Sequence, residues 1–358
     1  MKEQHVDITI IGGGPAGLFG AFYSGLRQMK TKIIEYQPVL GGKVHVYPEK
    51  MIWDVGGLTP LSGAHLIEQM VAQGLTFKPT VVLGEKVTAI SRNEQGIFVI
   101  TTASGERHYS KTVLLAIGKG ILNPVKLEIE GAERYEVANL HYTVKSLERF
   151  KDKIVLISGG GHSAVDWANE LAPIAKKVYL TYRKDALKGH EADVARLANN
   201  RVECLLNTSI IKLIAAPDHE RIASVMMQNH EHGDCFELSI DEIFVNHGYE
   251  RDKELLKNSS LSIELTEHGV AGTSMSETTV PGLYAAGDVL EHEGKLHLIA
   301  GAFQDAANAV NKAKQFIEPE AKATGMVSSH NELFAQKNRE LIKHLYREDK
   351  QAPLQDKA

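Results

Sequence analysis

The chain has 358 residues, 43% hydrophobic and 24% charged, the balance of a soluble globular enzyme of about two domains. A net charge of −5 and a pI near 6.4, with no concentrated run of Lys and Arg, exclude a general nucleic-acid binder. The first apolar run is interrupted by Asp7 and stops at Gly12, so neither a membrane span nor an export signal is predicted; Cys204 and Cys235 form no CxxC and suit buried, apolar-like roles in a reducing cytoplasm.

Val6 to Ile11 reads as a short buried strand. Gly12-Gly13-Gly14-Pro15-Ala16-Gly17 follows as a GxGxxG turn, opening a helical run from Leu18 to about Gln28. Gly12 makes the tight turn, Gly14 lets the backbone approach a pyrophosphate, and Gly17 lets helix and strand pack, which leaves phosphates on the helix N-terminus. A second strand from Thr31 ends in Glu35, 18 residues beyond Gly17, where an acid can bind both hydroxyls of an adenosine ribose. A carboxylate there repels a 2′-phosphate, so this site calls for FAD or NAD(H) rather than NADP(H). Glycine-rich turns are common on their own; the strand before, the helix after and Glu35 make this one specific.

Residues 37–43 form a turn-rich loop that returns toward the first turn. An extended segment, 52–57, precedes an amphipathic helix from Leu61 to Gly74. Apolar runs at 81–90 and 96–102, with a strand near 107–109, read as an antiparallel meander inserted in the first module. Residues 112–118 then return as a buried strand, and Asn123-Pro124 breaks the chain, which places a boundary near residue 119.

The same grammar restarts with a strand at 154–158, a GxGxxA turn at Gly159-Gly160-Gly161-His162-Ser163-Ala164, and a helix from Val165 to Leu171. Its second strand, 177–182, ends in Arg183-Lys184, the charge reversal that accommodates a 2′-phosphate, so the second site prefers NADPH. A scaffold-only Rossmann half with two solvated bases is the competing reading, and the pairing of strand end with glycine turn outweighs it. Strands near 202–206, 210–215, 222–228 and 236–240 form a second meander, and 242–248 closes the module. Later, a strand at 283–286 runs into Gly287-Asp288, where an acid can accept a hydrogen bond from a sugar-alcohol hydroxyl of a flavin. A helix over 300–316 and an amphipathic tail helix over 331–346 follow, ahead of a polar terminus. His230-Glu231-His232, His292 and His297 lie in polar loops without further ligands, so no metal site is predicted.

Two dinucleotide modules, acid-ended then base-ended, with a late Tyr284-Ala285-Ala286-Gly287-Asp288, resemble the thioredoxin-reductase-like flavoproteins over nearly the whole chain. Within that group, residues 47–50 (Tyr-Pro-Glu-Lys), 161–168 and the tail Ser328-Ser329-His330 resemble the ferredoxin/flavodoxin–NADP+ reductases. Thioredoxin reductase itself carries a CxxC just upstream of its second glycine turn, and here that stretch, Val137 to Thr143, has none. Electrons must therefore leave the flavin directly for an external acceptor.

The resemblance implies an α/β fold of two Rossmann-like, three-layer (ββα) dinucleotide-binding domains. FAD would occupy residues 1–118 with 250–358, the tail lying over the flavin, and NADPH residues 119–249. It implies FAD held by Gly12, Gly14, Gly17, Glu35, Lys43 (where the family usually has Gln), Tyr47, Val87, Ile121, Asp288 and Ser329. Tyr47 would stack on one flavin face and His330 on the other. NADPH would meet Gly159, Gly161, His162, Ser163, Arg183 and Lys184, although His162 replaces a usual Asp and the family's His-Arg-Arg-Asp reads Tyr-Arg-Lys-Asp here. The implied partners are ferredoxin or flavodoxin, with no nucleic acid or membrane, in a cytoplasmic homodimer. The alternatives are an NADPH-dependent flavoprotein reductase of quinones, disulfides or oxygen, or a flavin-binding redox sensor.

Overall fold

The computed structural model describes residues 5–144, 146–252, 254–326 and 328–348. The polar terminus from 349 on, and the side chains of Ser328 and Leu345, lie outside the described residues.

The first unit is built on a seven-stranded sheet. Its parallel part comprises β1 (Val6–Ile11), β2 (Thr31–Glu35), β3 (Thr80–Leu83), the C-terminal half of β6 (Arg107–Leu115) and a late strand, Leu283–Ala285. Both faces of these strands are covered, which explains their unbroken apolar runs: Ile8, Ile10, Ile33 and Leu114 are fully buried. Helix α1 (Pro15–Leu26) packs on one face beside the long helix Ile299–Ile317, whose Ala302, Ala306, Ala309 and Ala313 form a stripe of small side chains that brings the two helices close. On the other face, β4 (Val87–Arg92) and β5 (Phe98–Thr102) bury Ile90, Phe98 and Ile100 against Ile11, Ile34 and Leu115.

Two expectations about this unit are corrected. The run from 81 is not one meander strand: Thr80–Leu83 joins the edge of the parallel sheet beside β2, and a turn at Gly84 separates it from β4. Residues 107–109 and 112–115 are one continuous strand, pairing antiparallel with β5 in its first half and parallel with β1 in its second. Alternation in the first half and a solid apolar run in the second reflect one covered face and then two.

The second unit repeats the plan. β7 (Leu122–Pro124) pairs antiparallel with the strand Tyr249–Arg251, making a ribbon where the chain enters and leaves this unit. Its sheet runs in the order β8 (Leu140–His141), Glu242–Val245, β9 (Ile154–Ser158), β10 (Lys177–Thr181), β11 (Glu203–Leu205), all parallel. Helix α3 (His162–Leu171) covers one face through Ala164, Val165, Trp167 and Leu171. A separate antiparallel sheet of β12 (Thr208–Ala215), β13 (Ile222–Asn229) and β14 (Cys235–Ser239) covers the other. Residues 203–205 thus belong to the parallel sheet rather than to a meander. Cys204 on this edge strand and Cys235 on an outer strand are both exposed, which corrects the expectation that they are buried: among the described residues each lies on the last strand of its sheet. Both glycine-turn helices begin three residues earlier than expected, at Pro15 and His162. No helix among the described residues is long and apolar enough to cross a membrane.

Candidate functional site: two glycine turns

In the first turn Gly12 and Gly17 each have a steric reason. Gly12 sits at φ +105°, and a Cβ on it would lie 2.4 Å from the carbonyl oxygen of Ala116. A Cβ on Gly17 would fall 1.9 Å from the Gly12 carbonyl, so only glycine lets the helix start here. Gly14 is the extended N-cap residue, no side chain caps α1, and Pro15 fills the first helical position. By contrast, helix α2 (Gly63–Gly74) is capped by its own Ser62, whose oxygen accepts from the His65 N–H. The first turn of α1 therefore keeps its backbone donors for an anion.

Glu35 is buried beside this turn and bridges it: Oε2 accepts from Gly13 N–H at 2.5 Å and Oε1 from Gln37 N–H at 2.7 Å. Each carboxylate oxygen retains a lone pair for a ribose hydroxyl. The loop after β2 does return, since Gly41 N–H donates to Gly13 O at 2.9 Å and a Cβ on Gly42 would lie 2.7 Å from Gly14 Cα. It leads into a short helical turn, Gly42–Val46, on which Lys43 is exposed and Val44 buried. Tyr47 follows, half-buried, and burial followed by the nearby carboxylates of Asp288 and Asp54 pushes its hydroxyl up from the ordinary tyrosine value.

Asp288 lies on the turn Gly287–Val289, which packs on the start of α1: a Cβ on Gly287 would meet the Ala16 Cβ at 3.2 Å. Gly287 N–H donates to Asp305 Oδ2 at 3.0 Å, and Lys295 Nζ also donates to that oxygen. His297 Nδ1 stands 3.7 Å from Asp288 Oδ1. Glu35 and the Gly287–Val289 turn are thus joined to the first glycine turn and the start of α1, with Tyr47 near Asp288. Val87 is buried in the core of this unit, and Ile121 accepts the Asp252 N–H through its carbonyl beside the ribbon.

The tail behaves differently. Gly325 N–H donates to the Tyr23 hydroxyl at 3.3 Å, and Phe334 packs on Phe77 and Phe22 with ring centroids at 5.5 and 6.4 Å. Ser329 and His330 are exposed, with Ser329 Oγ 3.3 Å from His330 Nδ1. Among the described residues no hydrogen bond, ion pair or ring contact links either of them to Tyr47.

At the second turn a Cβ on Gly159 (φ +149°) would lie 2.3 Å from Asn246 O, and one on Gly160 would strike the Tyr182 ring. Gly161 faces open space, is the extended N-cap of α3, and leaves that helix without a side-chain cap. His162 and Ser163 are exposed on its first turn, and Arg183 and Lys184 are exposed just beyond β10. The loop carrying them folds back over the turn, because Lys188 N–H donates to Gly160 O at 2.7 Å. That return brings the His190 ring to 4.6 Å from the His162 ring. Lys188 and His190 were not found from the sequence, yet the first module's returning loop was the signal for them. Beneath, His247 Nε2 lies 2.8 Å from Ser158 Oγ, and burial, then Arg183, push its imidazole below the ordinary histidine value. One turn ends in a buried acid and the other in exposed bases, matching a ribose with free hydroxyls and one bearing a 2′-phosphate. Among the described residues no three potential ligands gather for a metal ion, and His230 instead faces Ser209 Oγ at 2.8 Å.

Residues 6–313 match the pattern of the pyridine nucleotide-disulphide oxidoreductases. The chain is 66% identical over 345 residues to ferredoxin–NADP reductase 1 of Bacillus mycoides (strain KBAB4), covering 96% of this chain and 99% of that one. It is 63% identical to ferredoxin–NADP reductase 2 of Exiguobacterium sibiricum, covering 98% and 100%. Among solved structures it is similar to Lactococcus lactis thioredoxin reductase in the FR conformation, with a TM-score of 0.70 and 26% identity over 87% of this chain and 99% of that one. T. acidophilum thioredoxin reductase, at 23% identity and a TM-score of 0.71, covers 87% of this chain and 99% of its own and shares the fold.

Proposed function

The chain belongs to the pyridine nucleotide-disulphide oxidoreductase family, and from that premise we propose that it is an FAD-dependent ferredoxin–NADP+ reductase that uses NADPH. The observation that carries this reading is the pair of uncapped glycine-turn helices, one flanked by buried Glu35 and the other by exposed Arg183 and Lys184. Bound FAD would supply the chemistry, taking a hydride from NADPH and passing electrons on singly to a protein carrier.

The residues bind and orient. Gly12, Gly14 and Gly17 admit the FAD diphosphate to the N-terminus of α1, Glu35 and Asp288 accept its sugar hydroxyls, and Lys43, Val87 and Ile121 border it. Tyr47 stacks on one flavin face. Ser329 and His330 cover the other, reaching it from the tail's anchor on α1 within the chain or across a homodimer, for which the exposed Leu341 and Ile342 of the tail helix are support. Gly159, Gly161, His162 and Ser163 take the NADPH diphosphate, and Arg183 and Lys184 its 2′-phosphate. Residues 1–118 and 250–358 form the FAD domain and 119–249 the NADPH domain. Flavodoxin is an alternative carrier, no membrane is involved, and the unpaired cysteines suit the cytoplasm. Val137 to Thr143 hold no cysteine, so no internal disulfide stands between flavin and carrier.

The test is anaerobic rapid mixing of the purified holoprotein with NADPH or NADH, then with ferredoxin, flavodoxin, a quinone or oxygen. Fast bleaching by NADPH followed by reoxidation by ferredoxin supports the reading. A flavin that NADPH leaves oxidised, or that only quinone or oxygen reoxidises, overturns it.

A further inference from the structure

The loop that carries Tyr47 also touches the second unit. Lys50, three residues on, is tied to Tyr47 through the backbone, its N–H donating to Tyr47 O at 3.3 Å. Its ammonium is shared between Asp166 Oδ2 and Glu170 Oε1, the latter at 3.1 Å, and lies 4.7 Å above the Trp167 ring. Those three residues lie on α3, whose first turn is the second glycine turn. Trp167 is itself fixed, buried edge-on against Phe244 at 6.0 Å. Beside Lys50, Glu49 Oε2 accepts from Leu147 N–H at 3.0 Å, a second tie to the same unit. Burial raises the Glu170 carboxyl, and Lys50 works against that rise.

We propose that Lys50 is a positioning residue for hydride transfer: it clasps α3 to the loop of Tyr47 and so sets the angle at which the two nucleotide units face each other. The chain itself joins the units at the ribbon of β7 and Tyr249–Arg251, which resists separation but leaves rotation about its axis open. A side-chain contact away from that ribbon restricts this freedom. Asp166 lies one turn into α3, and a helix rises about 1.5 Å per residue, so the clasp acts within a short lever of the turn that takes the NADPH diphosphate. Partly exposed ion pairs are individually weak, which lets this one hold an orientation without locking it. Hydride transfer is steep in distance and alignment, so a small loss of orientation is read as rate.

This inference rests on the proposed NADPH reduction of flavin, and the experiment separates the two. Parent, K50Q, K50R, D166N/E170Q and the triple variant are compared as holoproteins by anaerobic rapid mixing with NADPH. In parallel, spin labels on Cys204 and on an introduced L83C, with C235S, report the distance between units without any turnover. K50Q is expected to lower the limiting rate of flavin reduction roughly three- to tenfold while leaving FAD content and NADPH affinity unchanged. It also broadens the distance distribution. K50R retains the parental rate and distances, D166N/E170Q reproduces K50Q, and the triple variant is no worse than either. Superimposable rates and distances for K50Q and parent, or a loss confined to NADPH affinity, overturn the clasp. A parent protein that NADPH does not reduce overturns the functional reading instead, and the distance measurement then judges the clasp alone.

Discussion

The backbone N–H of Gly13 donates to Oε2 of Glu35 at 2.5 Å, so the acid that ends the second strand is joined to the turn it serves. The same carboxylate accepts from Gln37 N–H, holding the entry to the returning loop. Glu35→Ala removes both bonds and the proposed ribose acceptor. A hydrogen bond to a charged group contributes roughly 1.5–3 kcal/mol, so the net loss of even one should lower FAD affinity about 10- to 100-fold. Glu35→Gln, which keeps one acceptor oxygen, should lose less. The flavin absorbance per mole of protein after desalting, and titration of the apoprotein with FAD, check this; unchanged FAD retention in the Ala variant would move the ribose elsewhere.

Arg183 and Lys184 should carry cofactor choice. Both are exposed beyond β10 beside a turn that no side chain caps, and each charge-assisted contact to a 2′-phosphate is worth roughly 1.5–3 kcal/mol. Changing both to Ala should erase most of the preference for NADPH over NADH through affinity, with the limiting rate of flavin reduction little altered. If the NADPH-to-NADH ratio of kcat/KM survives, Lys188 and His190 on the returning loop are the next residues to change.

Both glycine turns and their charge logic were legible in the sequence because their reasons are local: a turn that needs φ above zero, a helix that must start against a strand, an acid or base at a strand end. What was not legible depends on contacts between distant segments. Lys188 reaches the second turn only because its N–H bonds to Gly160 O, and Lys50 meets α3 only after both units have folded. The run from 81 to 90 shows another limit. Val81 and Val82 are apolar in either setting, and only their pairing with Ile33 and Ile34 assigns them to the parallel sheet. Exposure of Cys204 followed the edge position of its strand, which residue type does not encode.

Stability should fall on mild acidification. His108 is almost wholly buried, its Nε2 has no hydrogen-bond partner among the described residues, and its Nδ1 lies 3.2 Å from Lys32 Nζ. Burial, then Lys32, hold its imidazole below the ordinary histidine value. In the unfolded chain this group protonates near pH 6.5, while in the fold it stays neutral to lower pH, so the unfolded state binds more protons. Stability is therefore full above about pH 6.5 and is lost as the pH drops below it, by up to about 1.4 kcal/mol per pH unit for one such group. His247 acts in the same direction, whereas Asp252, held low by Lys86, loses its contribution only in stronger acid. Urea melts at several pH values should show His108→Gln flattening the slope between about pH 5.5 and 6.5. An equal slope in parent and variant would remove His108 as its source.

Lys295 and Asp305 form a buried pair under the Gly287–Asp288 turn, with side chains 4% and 7% exposed. Asp305 also holds the Gly287 N–H, so removing the lysine leaves a buried charge that still serves the turn. Lys295→Met should destabilise the fold by roughly 3–5 kcal/mol, the usual cost of breaking such a pair, and weaken FAD retention with it. Lys295→Met with Asp305→Leu should recover part of the loss, because no unpaired charge remains. Melting curves of apoprotein and holoprotein separate the two effects: a single variant as stable as the parent would show that water reaches the pair.

The tail gives the sharpest test of the site. Phe334 packs against Phe22 and Phe77, and Gly325 bonds to the Tyr23 hydroxyl, so the segment carrying Ser329 and His330 is anchored at both ends on or beside α1. If His330 covers the flavin face that nicotinamide must reach, it competes with that ring and has to move before hydride transfer. Truncation after Met326 should then leave FAD bound and NADPH affinity nearly unchanged, because the second glycine turn is untouched, while altering the rate of flavin reduction and the reaction with oxygen. Phe334→Ala, which loosens only the anchor, should shift both rates in the same direction by a smaller factor. Mixing truncated chains with full-length chains whose FAD site is emptied by Glu35→Ala tells whether a tail acts within its own subunit or across a dimer: truncated chains whose flavin keeps its altered rate mark the first, and recovery of the parental rate as chains exchange marks the second. Rapid-mixing traces that superimpose for all these proteins would make the tail a surface appendage and return the open flavin face to the nicotinamide alone.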